Sequence, residues 1–374
     1  MGGKPFSCTS KEKEGVRVNK KDLDLLTDWC IACSFDPLRF VYEAFEWGKG
    51  ELMGHDGPDK WQIDILTDIK SGLLTINEAI QLAVASGHGI GKSALVSWLI
   101  LWAISTRIDT KGVVTANTEN QLRLKTWAEL AKWHRLSIVR ELFEVSATSI
   151  FSKDKNHEKT WRIDAVPWSE NNTEAFAGLH NQGRRILLIF DEASAIANII
   201  WEVAEGALTD ADTELIWCAF GNPTRNTGRF KDCFGKYRKR WKTRNIDSRT
   251  CKMTNKEQIK KWVEDYGEDS DFVKVRVRGM FPSMSARQFV PIEYVDRAFG
   301  RYLRQEQFAF APKIITCDPS WEGDDDCVIG LRQGLMFKVL RVLPKNDNDV
   351  EVANIIANIE DQENADAVII DAGY

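Results

Sequence analysis

A glycine-rich run set between an apolar strand and an apolar helix constrains this chain more than any other feature. Ser86-Gly87-His88-Gly89-Ile90-Gly91-Lys92-Ser93 follows the strand-like segment 81–86 (QLAVAS) and leads into ALVSWLILWAI at 94–104. In that setting glycines let backbone N–H groups approach phosphate oxygens, a lysine reaches the β- and γ-phosphates, and a serine can ligate Mg2+. The run fits the phosphate-loop pattern GxxxxGK[ST] except at its first position, where Ser86 replaces glycine. ATP with Mg2+ is the expected ligand, and Gly87, His88, Gly89, Ile90, Gly91, Lys92 and Ser93 are its expected cradle.

The elements around this loop alternate. Strands are expected at 112–116 (GVVTA), 160–166, 185–190 (RILLIF) and 215–220 (LIWCAF), with a helix from Glu119 to Leu136. Continuous apolar runs of this length are those of central parallel strands, and strands alternating with helices imply a sheet covered on both faces. The expected fold class is therefore α/β, a P-loop NTPase domain with a mostly parallel sheet. Residues 1–54 read as an N-terminal arm and helical segment, 55–281 as the ATPase domain with a basic lid-like subdomain, and 282–311 as a linker. A second alternation begins at 312, with strands at 313–317, 327–332, 335–342 and 367–370 and a helix near 350–361.

The second half of a nucleotide site needs an acidic residue at the end of a buried strand. Asp191 and Glu192 come directly after ILLIF, and a charge pair there is costly unless it has a use at the strand's C-terminal edge. Asp191 is assigned to Mg2+ and Glu192 to general-base activation of water. Trp61 and Gln62, about thirty residues before the loop, offer adenine stacking and a bidentate amide contact, although a structural tryptophan fits as well. Asn222, in Gly221-Asn222-Pro223-Thr224, stands where an amide could sense the γ-phosphate; a plain strand–turn signal also accounts for it.

Two later strands end in aspartate. Asp318 follows IITC and Asp371 follows VII, with Asp324, Asp325 and Asp326 in a turn between them. Strand-end aspartates on neighbouring strands can bridge two Mg2+ or Mn2+ ions in a nuclease. Helix caps and turn formers explain many such residues too.

Composition excludes several classes. Fifty Lys and Arg against 55 Asp and Glu give a net charge of −5, so the chain is no polycation, and 43% hydrophobic residues exclude a mostly disordered chain. The eleven-residue apolar stretch at 94–104 falls short of the roughly 20 residues of a membrane span, and the N-terminus has no apolar core for a signal peptide. A soluble, intracellular protein with no membrane contact is expected. Cys30 and Cys33 form a CxxC within a helical pattern and read as packed apolar residues. Charge is uneven: residues 225–252 hold eleven Lys or Arg and two acidic residues, interleaved with Phe230, Phe234, Tyr237 and Trp241. This stretch reads either as a DNA- or protein-facing patch or as a solvated lid.

Taken in order, Trp61-Gln62, the phosphate loop, Asp191-Glu192-Ala193-Ser194, Gly221 to Thr224, Asp318 and Asp371 resemble the large terminase subunit of tailed bacteriophages. Glu174 to His180, Tyr266-Gly267 and Val277-Arg278-Gly279 resemble that family as well, and the likeness covers roughly residues 55–374. It implies an ATPase joined to an RNase H-like nuclease that cuts concatemeric double-stranded DNA and drives it through a portal protein into a procapsid. The implied partners are DNA, the portal and a small terminase subunit, in a homo-oligomeric ring within the cytoplasm of an infected or lysogenic bacterial host. It also implies a coupling role for Asn222 and nuclease-metal ligation by Asp318 and Asp371. Two departures stand out. His88 occupies a place where many members carry an arginine, so the compensating charge is expected from elsewhere, such as a neighbouring subunit. The family's nuclease fold also runs on to a third carboxylate, so a truncated nuclease segment is expected at 312–374. A helicase-like or regulatory P-loop ATPase, or a non-enzymatic prophage remnant, are the competing readings.

Overall fold

Period-two alternation in the apolar strands, with every second side chain sent to the same face, organises the nucleotide-binding unit. The computed structural model describes residues 20–75, 78–116, 118–168, 179–283, 298, 302–319, 326–344 and 348–371. It falls into two units, Met1–Phe289 and Val290–Tyr374.

In the first unit, β1 (Ile80–Ser86), β2 (Lys111–Thr115), β3 (Phe143–Val145), β4 (Ser149–Ser152), β5 (Arg162–Ala165), β6 (Arg185–Phe190), β7 (Glu214–Gly221) and β8 (Lys242–Ile246) form one sheet. Their order is β3-β4-β5-β2-β6-β7-β1-β8. Only the β3–β4 and β4–β5 pairings are antiparallel. Leu82, Val84, Leu187, Ile189, Ile216 and Phe220 point to one face, where helix α4 (Lys92–Thr106) packs. Ala83, Ala85, Ile186, Leu188, Phe190 and Trp217 point to the other, against Ile200 and Trp201 of the helix Asn198–Ala204. Both faces are covered, which is why these strands are continuously apolar. Helix α4 is buried from Ala94 to Thr106, and no helix among the described residues is long and apolar enough to cross a membrane.

The structure departs from expectation in three places. The run Glu119–Leu136 is helical, but Leu122–Trp127 is a π-helical turn. Strands β3, β4 and β8 had no clear signal, because β3 and β8 lie at the sheet's edges and β4 is only four residues long. Strand β8 (KTRNI) lies inside the basic stretch read as lid-like, yet it pairs in parallel with β1.

The third departure is the helical segment before residue 54, which packs into the core of this unit. Helices α1 (Lys20–Ala32) and α2 (Pro37–Ala44) contribute Cys30, Phe40, Val41 and Ala44 to the cluster that holds α4. Trp102 Nε1 donates to Cys33 O at 3.0 Å. Arg185, fully buried, donates to Ser34 O at 2.8 Å and Thr106 Oγ1 at 2.7 Å. It is also ion-paired with Glu214 and lies 4.1 Å from the Trp102 ring. Burial pushes its pKa down and Glu214 opposes that shift. Every described cysteine is free and buried, and burial pushes the thiols of Cys30 and Cys33 up to about 12, as packed apolar groups require.

The second unit has a four-stranded sheet, β11-β10-β9-β12, made of β9 (Lys313–Asp318), β10 (Cys327–Gln333), β11 (Met336–Leu343) and β12 (Ala367–Ile370). Only β9 and β12 are parallel. Ile315, Ile329 and Leu331 pack on Ile356 and Ile359 of the helix Asp349–Glu363. Most of the linker expected at 282–311 lies outside the described residues.

Removing one partner of a buried ion pair strands the other charge, at a typical cost of about 3–5 kcal/mol. Arg185→Ala should lose that much in denaturant unfolding, and Arg185→Met with Glu214→Gln should recover part of it.

Candidate nucleotide-binding site

The phosphate loop is built on contacts that only glycine permits. Gly87 N donates to Ile246 O at 3.0 Å and His88 N to Arg276 O at 2.8 Å, while Ser248 Oγ donates to His88 O at 2.8 Å. A Cβ on Gly87 would lie 2.2 Å from Ser248 Oγ and 2.4 Å from Val277 O. Gly279, at φ +62°, lies against the end of β1, where a Cβ would stand 2.7 Å from Ser86 Cα. That close approach is a physical reason for the Val277-Arg278-Gly279 motif. The first two loop amides thus anchor the loop, and those of Gly89, Ile90, Gly91, Lys92 and Ser93 have no acceptor among the described residues. Five such amides at the start of a 15-residue helix suit phosphate oxygens.

Strand β7 lies between β1 and β6, so Asn222 emerges between the loop and the acidic pair. Asn222 Nδ2 donates to Ser86 O at 2.6 Å. Lys92 Nζ donates to Asn222 Oδ1 and to Ser86 Oγ, both at 3.2 Å. The serine that departs from the loop pattern therefore supplies a hydroxyl to the loop lysine. Burial holds the Lys92 ammonium below its ordinary pKa, and the charges of Glu192 and Asp191 pull the other way.

Asp191 N donates to Thr115 O at 2.7 Å. The Asp191 carboxylate accepts at both oxygens, from Glu192 N at Oδ1 (3.0 Å) and from Thr126 Oγ1 at Oδ2 (2.8 Å). Glu192 sits in the left-handed region at φ 52°, a conformation that costs about 1–3 kcal/mol and concentrates at functional sites. Burial raises the Glu192 pKa most strongly; Lys92 and Lys125 lower it and Asp191 raises it. His88 is held below the ordinary imidazole value by burial and then by the charges of Lys92 and Arg276. Among the described residues, the cations whose charge reaches these groups are Lys92, Lys125 and Arg276.

Oxygen donors of this kind fit Mg2+. Each Asp191 oxygen keeps a lone pair beyond its one hydrogen bond, and the Ser93 hydroxyl makes no side-chain bond among the described residues.

Gln62 has a different place from the one expected. Its Oε1 accepts from Asp59 N at 2.7 Å in a capping box at the start of helix α3 (Lys60–Leu73), and its Nε2 donates to Gly91 O at 3.2 Å. One end of the amide caps helix α3 and the other braces the loop, so both ends already have partners other than a base. The pattern Asp59-x-x-Gln62 is itself a helix-start signature that could have revealed this. Trp61 is 5% exposed and packs in the core, with one edge on a cavity of about 460 Å3 lined also by Asp64, Arg244, Asn245 and Thr250.

Six of the eleven basic residues of the stretch 225–252 have carboxylate partners in the chain. Arg229 and Arg240 pair with Glu205, Lys242 and Arg244 with Asp68, Arg249 with Asp247 and Glu268, and Lys252 with Asp56. Phe230 and Trp241 are buried, so part of the aromatic interleaving is core packing.

In the second unit, β9 and β12 run parallel with Ile370 beside Cys317, and Asp371 N donates to Cys317 O at 2.9 Å. Asp318 and Asp371 thus leave neighbouring strands at the same edge, both exposed. Of the turn aspartates only Asp326 lies within the described residues. No group of three or more His, Cys, Asp or Glu placed to hold a metal occurs among the described residues.

A phosphate loop and a strand-end Asp–Glu pair, separated by one strand of a mostly parallel sheet with helices on both faces, define the P-loop NTPase fold. The likeness to the phage large terminase subunit is borne out by a curated relative. Over 237 residues the chain is 26% identical to "Probable terminase, large subunit" of Enterobacteria phage P7, a match covering 59% of this chain and 46% of the relative. The chain therefore matches about half the length of that protein. No protein-family model matches. Among solved structures, the large terminase of a thermophilic bacteriophage in complex with ADP is similar at 14% identity and TM-score 0.46, covering 84% of this chain and 77% of that one. The large terminase ATPase domain of Thermus phage P74-26 is similar at 14% identity and TM-score 0.41, covering 59% and 92%.

Because backbone atoms block any side chain at Gly87, Gly87→Ala should weaken ATP binding by about tenfold or more, equivalent to ~1.4 kcal/mol. Calorimetric titration of ATP would measure it, with an unchanged far-UV spectrum as the control for folding.

Proposed function

We propose that this chain is the ATP-hydrolysing motor subunit of a phage terminase, which moves double-stranded DNA into a procapsid. The observation that carries this reading is the meeting of Lys92, Asn222, Asp191 and Glu192 beside five unengaged loop amides. The phosphates of ATP lie against the amides of Gly89 to Ser93, with Lys92 on the β- and γ-groups. Ser93 and Asp191 would hold Mg2+, which neutralises phosphate charge when bound. Glu192 accepts a proton from the attacking water at its carboxylate. The cavity bordered by Trp61 and Arg244 takes the base. Asn222, in contact with both Lys92 and Ser86, is the residue through which hydrolysis is passed to the loop.

The same reading assigns residues 55–281 to the motor and 312–374 to part of an RNase H-like nuclease. Asp318 and Asp371 are two of its ligands for Mg2+ or Mn2+, and cutting of concatemeric DNA needs further ligands. The partners proposed are DNA, the portal protein, a small terminase subunit and other copies in a ring, in the cytoplasm of the bacterial host.

Glu192→Gln should bind ATP as the parent does and hydrolyse it roughly 10²–10⁴-fold more slowly. Lys92→Ala should lose both binding and turnover. Hydrolysis by Glu192→Gln at the parent rate would place the base elsewhere.

The pH profile offers a separate check. A base works deprotonated, and burial raises the pKa of Glu192, so turnover should fall on the acid side at a pH above the ordinary glutamate value of about 4.3. An acid limb at or below that value would show that Glu192 is not the titrating base.

A further inference from the structure

The buried hydroxyl of Thr126 is used unlike the other helical hydroxyls of this unit. Thr67, Ser97, Ser105 and Thr106 each donate back to the carbonyl four residues earlier, the usual resting place for a serine or threonine inside a helix. Thr126 instead donates to Asp191 Oδ2 at 2.8 Å, across 65 residues of sequence. It is 1% exposed, and this is the one hydrogen bond of its hydroxyl among the described residues. The residue sits in the π-helical turn Leu122–Trp127, a conformation that is rare and appears mostly at functional sites. Next to it, Trp127 is also buried and its Nε1 donates to Ser146 O at 3.1 Å, which pins the turn to the loop between β3 and β4. The charge of Lys125, one residue earlier, reaches Glu192.

We propose that Thr126 is a positioning residue for Asp191, held by the π turn so that its hydroxyl fixes the rotation of the carboxylate that faces Mg2+. The Oδ1 side is already held by Glu192 N at 3.0 Å, and a single anchor leaves the carboxylate free to turn about its Cβ–Cγ bond. The second anchor at Oδ2 leaves one lone pair on each oxygen in a defined direction. Groups that orient a metal's ligands typically affect metal affinity or activity by about 10–100-fold when removed. The inference rests on the ATPase reading and adds to it a residue with no signal in the phosphate-loop or strand-end motifs.

The test compares the parent chain with Thr126→Val, which keeps the shape and loses the hydroxyl, Thr126→Ala as a second hydroxyl-free form, and Thr126→Ser, which restores it. Mg2+ is titrated into each protein with a non-hydrolysable ATP analogue and binding is followed by calorimetry; kcat and KM for ATP are measured in parallel. Thr126→Val and Thr126→Ala should need about 10–100-fold more Mg2+ for half-maximal binding, and Thr126→Ser should behave as the parent. In an Asp191→Asn background Thr126→Val should have no further effect, since it acts through that carboxylate. Parent-like Mg2+ dependence in both hydroxyl-free forms, equal impairment of the serine and valine forms, or an undiminished effect in Asp191→Asn would each overturn the proposal. A parent chain that neither binds nor hydrolyses ATP would refute the ATPase reading, and this inference with it.

Discussion

Parallel pairing of β6, β7 and β1 is the constraint from which the candidate site follows. Parallel neighbours end at the same edge of a sheet, so three loops far apart in sequence begin side by side. Ala85 lies beside Gly221 and Phe190 beside Ala219. The phosphate loop, Asn222 and the Asp191–Glu192 pair are therefore neighbours before any side chain is considered. A parallel sheet must also be covered on both faces. Helix α4 on one side and the helix Asn198–Ala204 on the other meet that requirement, and their apolar residues make the rigid base on which the loop rests.

What was legible in the sequence follows from the same constraint. Central strands carry unbroken apolar runs, so β1, β2, β6 and β7 could be placed within a residue or two, as could the strands of the second unit. Edge strands β3 and β8 bury few side chains and β4 is only four residues long, so none left such a run; KTRNI of β8 reads as part of a basic surface. Residues whose role is set by chemical type, Lys92, Asp191, Glu192 and Asn222, could be singled out and stand together. For residues whose role is set by backbone geometry, the role could not be read. Gln62 looks like a base contact and serves as a helix cap and loop brace. Ser86 looks like a flaw in a motif and supplies a hydroxyl. Gly279 matters because strand β1 passes too close for any side chain. Thr126 depends on a π turn that no periodicity reveals.

The site also stores unfavourable terms side by side. Lys92 and Glu192 are both pushed toward their neutral forms by burial, and each is drawn back by the other's charge. Glu192 further holds a left-handed backbone conformation. Such arrangements persist only when the surrounding fold over-determines them. Here the anchors are backbone hydrogen bonds: Gly87 to Ile246, His88 to Arg276 and Asp191 to Thr115. Each lies on an element that is itself part of the sheet or braced against it.

The bond between Arg185 and Ser34 has a consequence for how the chain acquires its shape as it is made. Its two ends are 151 residues apart. At synthesis rates of about 5–20 residues per second, roughly 8–30 s separate the appearance of Ser34 from that of Arg185. Within that interval α3 and α4 are already made, and Phe40, Val41 and Ala44 can pack on them, while the carbonyl of Ser34 still lacks the guanidinium that it accepts from. The amino-terminal helices can thus settle on α3 and α4 early in synthesis, and the tie that joins them to β6 closes only when that much later strand is made.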